Sequence, residues 1–352
     1  MTSEPLPLAA QPEYLTEALR RSGALGEGCV SDVVIENSRK TILSRIIRLS
    51  LSYEGAAAEA PGSLILKTGL PERVDAKWNS GRHEVAFYMQ IAATISAHIA
   101  PRCFDAVWDA DTNAWHLLLE DLTDSHFVLT NWPLPPTLAQ SEQIIATRAR
   151  FHAEWWDDPR LRVSIGTWLD PDDRQLQAFA VQVAHFADRV GDRLSPARFD
   201  FYQRLIDAGR HLNRRYHSHR NMTLVQGDAH VWNVFLPRST DSDDLRLFDW
   251  DSWRVDVGTG DLAYMMALHW YPDHRHRHER QLLDHYHAAL LAHGVSDYDR
   301  RALDDDYRLS VLWQTATPVW QAANDIPTWI WWPHVERIFM AVDDLGCRDL
   351  LA

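Results

Sequence analysis

One stretch constrains this chain more than any other: Gln226-Gly227-Asp228-Ala229-His230-Val231-Trp232-Asn233, followed by Leu247-Phe248-Asp249-Trp250-Asp251. Met222–Val225 ahead of it reads as a short strand, as do Val234–Leu236 and Leu245–Phe248 after it. Between the last two, the polar, proline-led run from Pro237 to Asp244 reads as a hairpin turn. A loop therefore leaves one strand and enters a two-stranded ribbon whose far end presents Asp249 beside Asp228 and Asn233. Phosphoryl transfer makes that demand. It needs one carboxylate near the attacking hydroxyl, plus an amide and a second carboxylate holding magnesium on the phosphates. The expectation is the loop of an ATP-dependent kinase, with Asp228 catalytic and Asn233 and Asp249 as metal ligands.

In type and spacing, Gly227, Asp228, His230, Asn233 and Asp249 resemble the catalytic loop of the aminoglycoside phosphotransferase and choline kinase superfamily. That loop reads H-G-D-x-H-x-x-N, followed by a strand of hydrophobic-Asp-hydrophobic-acidic pattern. The opening His is Gln226 here. The resemblance implies that this position braces the loop by hydrogen bonds. Gln carries both a donor and an acceptor and can do so without titrating.

At 352 residues the chain is long enough for two domains with sizeable cores. Its 46% hydrophobic and 24% charged residues are ordinary for a soluble globular protein. No run of about 18 apolar residues is present to span a membrane, nor a basic-then-apolar leader. Cys29, Cys103 and Cys347 are widely spaced and form no C-x-x-C. That indicates neither a disulfide framework nor a zinc site, and it fits a reducing, cytoplasmic compartment. The net charge of −14 argues against a nucleic-acid partner.

Glu13–Arg21 has helical spacing and is stopped by Gly23. The segment Gly23–Ser31 follows. Taken alone it reads as an ordinary turn; with what comes after, it reads as a loop whose backbone amides approach phosphate through Gly26, Gly28 and Ser31. In Ile42–Ser52, Ile47, Leu49 and Leu51 alternate with Arg48, Ser50 and Ser52, as in a half-buried strand. Ser63–Thr68 is a second strand and carries Lys67, a costly residue in a buried strand unless paired. Glu84 lies seventeen residues on, in a helical run from Arg82 to Ile91. Alone, Lys67 reads as a snorkelling edge lysine and Glu84 as a solvated first-turn acid. Together, upstream of the 226–251 loop, they read as the lysine–glutamate pair that holds nucleotide phosphates in kinases.

Cys103–Trp108 and Ala114–Leu119 read as a strand pair. The second runs into Leu118-Leu119-Glu120-Asp121-Leu122, where a small lobe would hand over to a larger one. Glu120 and Leu122 are candidates for binding adenine through the main chain. The division is placed between 1–121 and 122–352. Helices are expected from Thr137 through Trp156, over Pro171–Gly191 and Ala197–Tyr216, from Leu282 to His293, from Ser296, and from about Pro333 to Cys347. His152 reads as a satisfied core histidine and Asp261 as a helix cap; the resemblance implies that Asp261 also braces the catalytic loop. The run of His274, His276 and His278 among arginines reads as a solvated basic patch. The late tryptophans Trp313, Trp320, Trp329, Trp331 and Trp332 read mainly as helix packing, with one or two lining a pocket.

Ser63–Lys67, Arg82–Tyr88, Leu118–Thr123, Arg150–Trp156 and the end from Trp329 look like the ecdysteroid-kinase-like branch of the superfamily. The resemblance implies an α+β, two-lobed protein-kinase-like fold: a small antiparallel sheet with one helix, then a mostly helical lobe holding the acceptor. It implies ATP and Mg2+ as cofactors and O-phosphorylation of a small-molecule hydroxyl. No segment reads as an activation region, which argues against a protein substrate. Gln226 keeps open a second reading, a nucleotide-binding pseudokinase. A dinucleotide oxidoreductase fares badly, because Gly23–Gly28 does not follow a strand and open a helix.

Overall fold

The computed structural model describes residues 6–71, 80–95, 98–129, 131–166, 173–239 and 242–352, arranged as two compact units. One unit comprises Met1–Leu129 together with Asn233–Ser252; the other comprises Thr130–Trp232 and Trp253–Ala352. The expected division at 121/122 treats each half as continuous. In the structure the ribbon after Trp232 returns to the first unit.

The first unit is built on an antiparallel five-stranded sheet. Its strands are β1 (Cys29–Lys40), β2 (Ser44–Glu54), β3 (Ser63–Gly69), β4 (Cys103–Trp108) and β5 (Trp115–Glu120), in the order β1-β2-β3-β5-β4. The alternation in β2 works as expected: Ile47, Leu49 and Leu51 are buried and join Leu64 and Leu66 of β3 in the core. Helix α1 (Pro12–Arg21) adds Leu15, Ala18 and Leu19 to that core. β1 has no counterpart in the sequence reading. It is an edge strand with mostly exposed side chains, so it lacks the apolar alternation that marks β2.

Helix α2 (Ser80–Gln90) packs on β4 and β5. Gly69 and Gly81 both press against the Trp115 indole, and a Cβ at Gly81 would lie 2.0 Å from the ring. This close approach seats the first turns of α2 and so sets where Glu84 falls. A second sheet, β6 (His126–Val128), β8 (Val234–Pro237) and β9 (Arg246–Leu247), is antiparallel in the order β6-β8-β9. The expected two-stranded ribbon thus has a third strand.

The second unit is mostly helical. Its elements are α3 (Leu138–Glu154), α4 (Asp173–Val190), α5 (Pro196–Leu212), α6 (Arg214–His217), α7 (Thr259–Leu262), α8 (Pro272–Ala292), α9 (Arg300–Gln314), α10 (Ala316–Ala323) and α11 (Thr328–Asp344). A two-stranded ribbon, β7 (Thr223–Val225) with β10 (Arg254–Asp256), lies among them. Thr137 starts α3 through a capping box with Gln140.

Several expected boundaries shift. α9 begins after Asp299, whose side chain accepts from Ala302 N–H, and not at Ser296. α11 begins five residues before Pro333. α8 absorbs the histidine run, where Arg275 is buried against Glu279 at 2.8 Å and also pairs with Asp344. The run is therefore only partly a solvated patch. Among the described residues no helix is long and apolar enough to cross a membrane.

Replacing Gly81 by Ala forces the new methyl into a rigid indole and should cost about 1–3 kcal/mol, the usual range for overpacking. Gly62→Ala has open space at its Cβ and should change stability by less than about 0.5 kcal/mol. Urea midpoints of the two variants check the contrast.

Candidate active site

In the first unit the buried lysine finds its partners. Lys67 Nζ lies 2.7 Å from Glu84 Oε2 and 2.7 Å from Asp249 Oδ1. Lys67 and Glu84 are buried, whereas the Asp249 side chain is 35% exposed. Burial disfavours the ammonium, but Asp249, Glu84 and Asp251 more than offset it and hold Lys67 above its ordinary value. Burial also pushes the Glu84 carboxyl up, against the pull of Lys67. Phe87, one turn along α2, stacks on Trp250 at 4.0 Å between centroids. The helix is thus pinned to the segment that carries Asp249.

Asn233 and Asp249 come to one end of the ribbon by register. Val234 pairs with Leu247, and Phe248 N–H donates to the Asn233 carbonyl at 3.1 Å. Asp249 adopts φ of +63°, in the left-handed region that Asp tolerates better than most residues and that tends to mark functional positions. Both side chains offer oxygen donors, the ligand type that suits magnesium.

Register separates three of the expected phosphate contacts from this cluster. Lys67 pairs with Ile46, which pairs with Arg39, whereas Cys29 pairs with Glu54 at the other end of β2. At about 3.3 Å per residue, Gly26 and Gly28 therefore lie some 26 Å along the sheet from Lys67, with Ser31 nearly as far. Gly28 instead lets the chain pass close to the Glu54–Ala56 turn, where a Cβ would meet the Ala56 carbonyl at 2.7 Å. Arg20 ties down the Gly26 and Gly28 carbonyls. The expectation for Gly26, Gly28 and Ser31 is corrected accordingly. The turn at the Lys67 end of β1 and β2 is Thr41–Leu43, which has no glycine.

Glu120 ends β5 opposite Leu64, and its carboxylate accepts from Arg102 N–H. Leu122 is buried, and its carbonyl accepts from His126 N–H. Among the described residues no hydrogen bond engages the Leu122 N–H.

The second unit holds Asp228. Tyr264 O–H donates to Asp228 Oδ1 at 2.5 Å, and His230 Nε2 stands 3.5 Å from Oδ2. The loop is braced by buried Asp261, which accepts from the backbone N–H groups of Gln226 and Gly227 at 3.0 and 2.9 Å. Arg148 Nη1 pairs with Asp261 at 3.0 Å while its Nη2 donates to the Ala229 carbonyl. His152 stands 3.4 Å from Asp261 and bonds Tyr286 through Nδ1. Burial opposes the Asp261 charge, but His152, Arg148 and the Gly227 N–H outweigh it and hold the carboxyl well below its usual range.

Asp261 therefore braces the loop as expected, but it sits inside the first turn of α7 and does not cap it; Gly258 holds the N-cap position. Because the brace reaches Gln226 through its main chain, it does not depend on whether residue 226 is Gln or His. Arg148, Tyr264, His269 and His334 escaped the sequence reading. Only Arg148 left a signal, as a charge on an otherwise apolar helical stripe.

Trp331 and Trp332 line a cleft of about 450 Å3 with Arg189, Val190, Arg193 and Thr328. None of these residues belongs to the Asp228 cluster.

Residues 172–295 match the model of the ecdysteroid kinase-like family, in agreement with the branch read from the sequence. A Ralstonia eutropha structure described as an aminoglycoside phosphotransferase aligns with TM-score 0.60 at 14% identity, covering 96% of this chain and 97% of that one. Choline kinase from Cryptosporidium parvum aligns at 0.55 and 9% identity over 96% and 97%. A GDP complex of an aminoglycoside 2'-phosphotransferase-IIIa mutant aligns at 0.50 and 11% identity over 96% and 97%. The fold is thus kinase-like, an antiparallel sheet region followed by a mostly helical part. No curated protein sequence matches the chain.

Asp261→Ala strips Arg148 of its buried partner and should cost about 3–5 kcal/mol in urea unfolding. Acid should weaken the fold for a separate reason. His334 is held down to about 3 by burial, with Arg337 and His230 adding to it, and burial holds His269 well below its ordinary value. Protonation of these rings favours the unfolded chain, where the value is about 6.5. Their contribution is complete above about pH 6.5 and falls as the pH drops towards 3. Urea midpoints across that window should decline, and His334→Asn should flatten the decline.

Proposed function

We propose that the chain is an ATP-dependent small-molecule kinase that transfers the γ-phosphoryl group to an acceptor hydroxyl. The observation that carries this reading is the buried Lys67–Glu84 pair bonded to Asp249, an arrangement suited to holding nucleotide phosphates. The kinase-like fold and the match to a kinase-like family model support it, as does the GDP complex of one structural neighbour.

Lys67 contacts the phosphates and Glu84 fixes Lys67. The Leu122 N–H, with the Glu120 main chain, receives the adenine edge. Asn233 and Asp249 would hold magnesium, which supplies charge neutralisation at the phosphates. Asp228 takes the proton of the acceptor hydroxyl as its oxygen bonds to the γ-phosphorus and the bond to the β-phosphate oxygen breaks, releasing ADP. The Tyr264 hydroxyl holds one Asp228 oxygen and so orients the carboxylate. Catalysis is then positioning and electrostatics. The acceptor is a small molecule, and neither nucleic acid nor membrane is a partner. Three free thiols support the cytoplasmic placement.

Mg-ATP should raise the thermal midpoint of the wild type, because a ligand that binds only the native state stabilises it. Asp249→Ala should lose the magnesium-dependent part of that rise. Asp228→Ala should keep it yet lose ADP release at least about a hundredfold, in line with removal of a general base. If neither wild type nor variant responds to nucleotide, the kinase reading fails. Stabilisation without ADP release from any acceptor would point to the pseudokinase instead.

A further inference from the structure

Beside Asp228 in the second unit lies a connected cluster of rings. Trp132 meets Trp232 at 4.3 Å between centroids, His230 meets His269 at 5.4 Å, and His269 meets His334 at 4.5 Å. Exposure falls across the cluster. Trp132 is 37% exposed and the Asp228 side chain 25%, whereas His334 is 1% exposed.

Local partners fix the tautomers of the two deep imidazoles. His269 Nδ1 lies 2.7 Å from the Tyr264 carbonyl and His334 Nδ1 lies 2.9 Å from Gln321 Oε1. The Tyr264 carbonyl only accepts, so His269 Nδ1 carries the hydrogen; His334 Nδ1 faces the amide oxygen of Gln321 and carries the hydrogen with the amide so turned. Both rings stay neutral, because burial and the neighbouring Arg337 and His230 disfavour their cations. Each Nε2 is therefore a lone pair. His334 Nε2 is buried without a partner among the described residues, and so are three further atoms of the same cluster, His230 Nδ1, Trp232 Nε1 and Arg337 Nε. Four of the fifteen such atoms among the described residues gather in this one cluster next to a carboxylate, a concentration that a ligand with both donors and acceptors would satisfy. No group of three or more His, Cys, Asp or Glu among the described residues is placed to hold a metal ion.

The wanted ligand must give hydrogens to imidazole lone pairs and accept them from indole and guanidinium N–H groups. A hydroxyl does both. An ammonium group cannot accept, and a carboxylate cannot donate. Arg337, 4.1 Å over the Tyr271 ring and bonded to the His269 carbonyl, adds a buried positive charge that opposes a cation. Resting on the kinase reading, we propose that His269 and His334 are the acceptor-specificity residues: they bind a second hydroxyl of an uncharged polyhydroxy acceptor whose first hydroxyl is presented to Asp228.

Three probes of similar size test this on the full chain without nucleotide: trans-1,2-cyclohexanediol, cyclohexanol and trans-2-aminocyclohexanol. Long-range proton–nitrogen spectra of histidine-labelled protein should show both rings as the Nδ1–H tautomer at neutral pH. The diol should shift both Nε2 signals and bind about tenfold more tightly than cyclohexanol, the worth of one hydrogen bond of about 1.4 kcal/mol. The amino alcohol should bind more weakly than the diol. His334→Asn retains a donor for Gln321 but places no acceptor at the Nε2 position, so it should erase the preference for the diol over cyclohexanol. Unmoved Nε2 signals, tighter binding of the amino alcohol, or an equal loss for all three probes in His334→Asn would each overturn the proposal. These outcomes are read apart from catalysis: absent Mg-ATP stabilisation would remove the kinase reading while leaving the diol preference standing.

Discussion

The buried carboxylate of Asp261 is the constraint on which the helical unit depends. A charge taken out of water is tolerable only when its lone pairs are filled, and here two backbone N–H groups, a guanidinium and an imidazole fill them. The donors come from α3 and from the segment after β7, so one side chain ties a helix, a loop and the start of α7 together. Arg148 completes the tie by reaching the Ala229 carbonyl on the far side of Asp228. The Asp228 carboxylate is thereby flanked by fixed main chain on both sides, while its own side chain stays partly open to solvent.

The sheet-bearing unit solves a similar problem with the opposite charge. Lys67 enters the interior from β3 and is met by a carboxylate from α2 and another from the segment after β9. The helix reaches it because Gly81 lets α2 settle on Trp115 and because Phe87 stacks on Trp250. Glu84 is consequently positioned by apolar packing as much as by attraction to the ammonium.

These differences mark what a sequence can express. Lys67 was legible because a lysine in a buried strand demands a partner, and Glu84 supplies it; Asn233 and Asp249 stood out only through the short motif that carries them. β2 was legible from its alternation, and β3, β4 and β5 from short apolar runs bounded by turns. The glycine segment before β1 misled because composition says nothing of register; only the pairing of Cys29 with Glu54 and of Lys67 with Ile46 separates it from the lysine. Arg275 reads as solvated until Asp344, sixty-nine residues away, packs against it. His269 and His334 had no local signal at all. They meet because α11 packs against the turn that ends at His269, and their shared chemistry rests on carbonyl partners that no spacing rule displays.

Between α7 and α8 the chain makes a π-helical turn, Ala263–Leu268, wider by one residue than an α-helical turn. The His269 imidazole closes it by bonding the carbonyl five residues back, that of Tyr264. The tyrosine that orients Asp228 and the histidine beyond it are thus phased by an extra residue of backbone. Excising one residue there and restoring regular winding would leave the downstream phase nearly unchanged, because the wider turn absorbs the extra residue, but it would remove the five-residue step by which His269 reaches the Tyr264 carbonyl. Relatives that lack the extra residue would therefore share the carboxylate and its brace, yet lose the bond that fixes the His269 ring beside them.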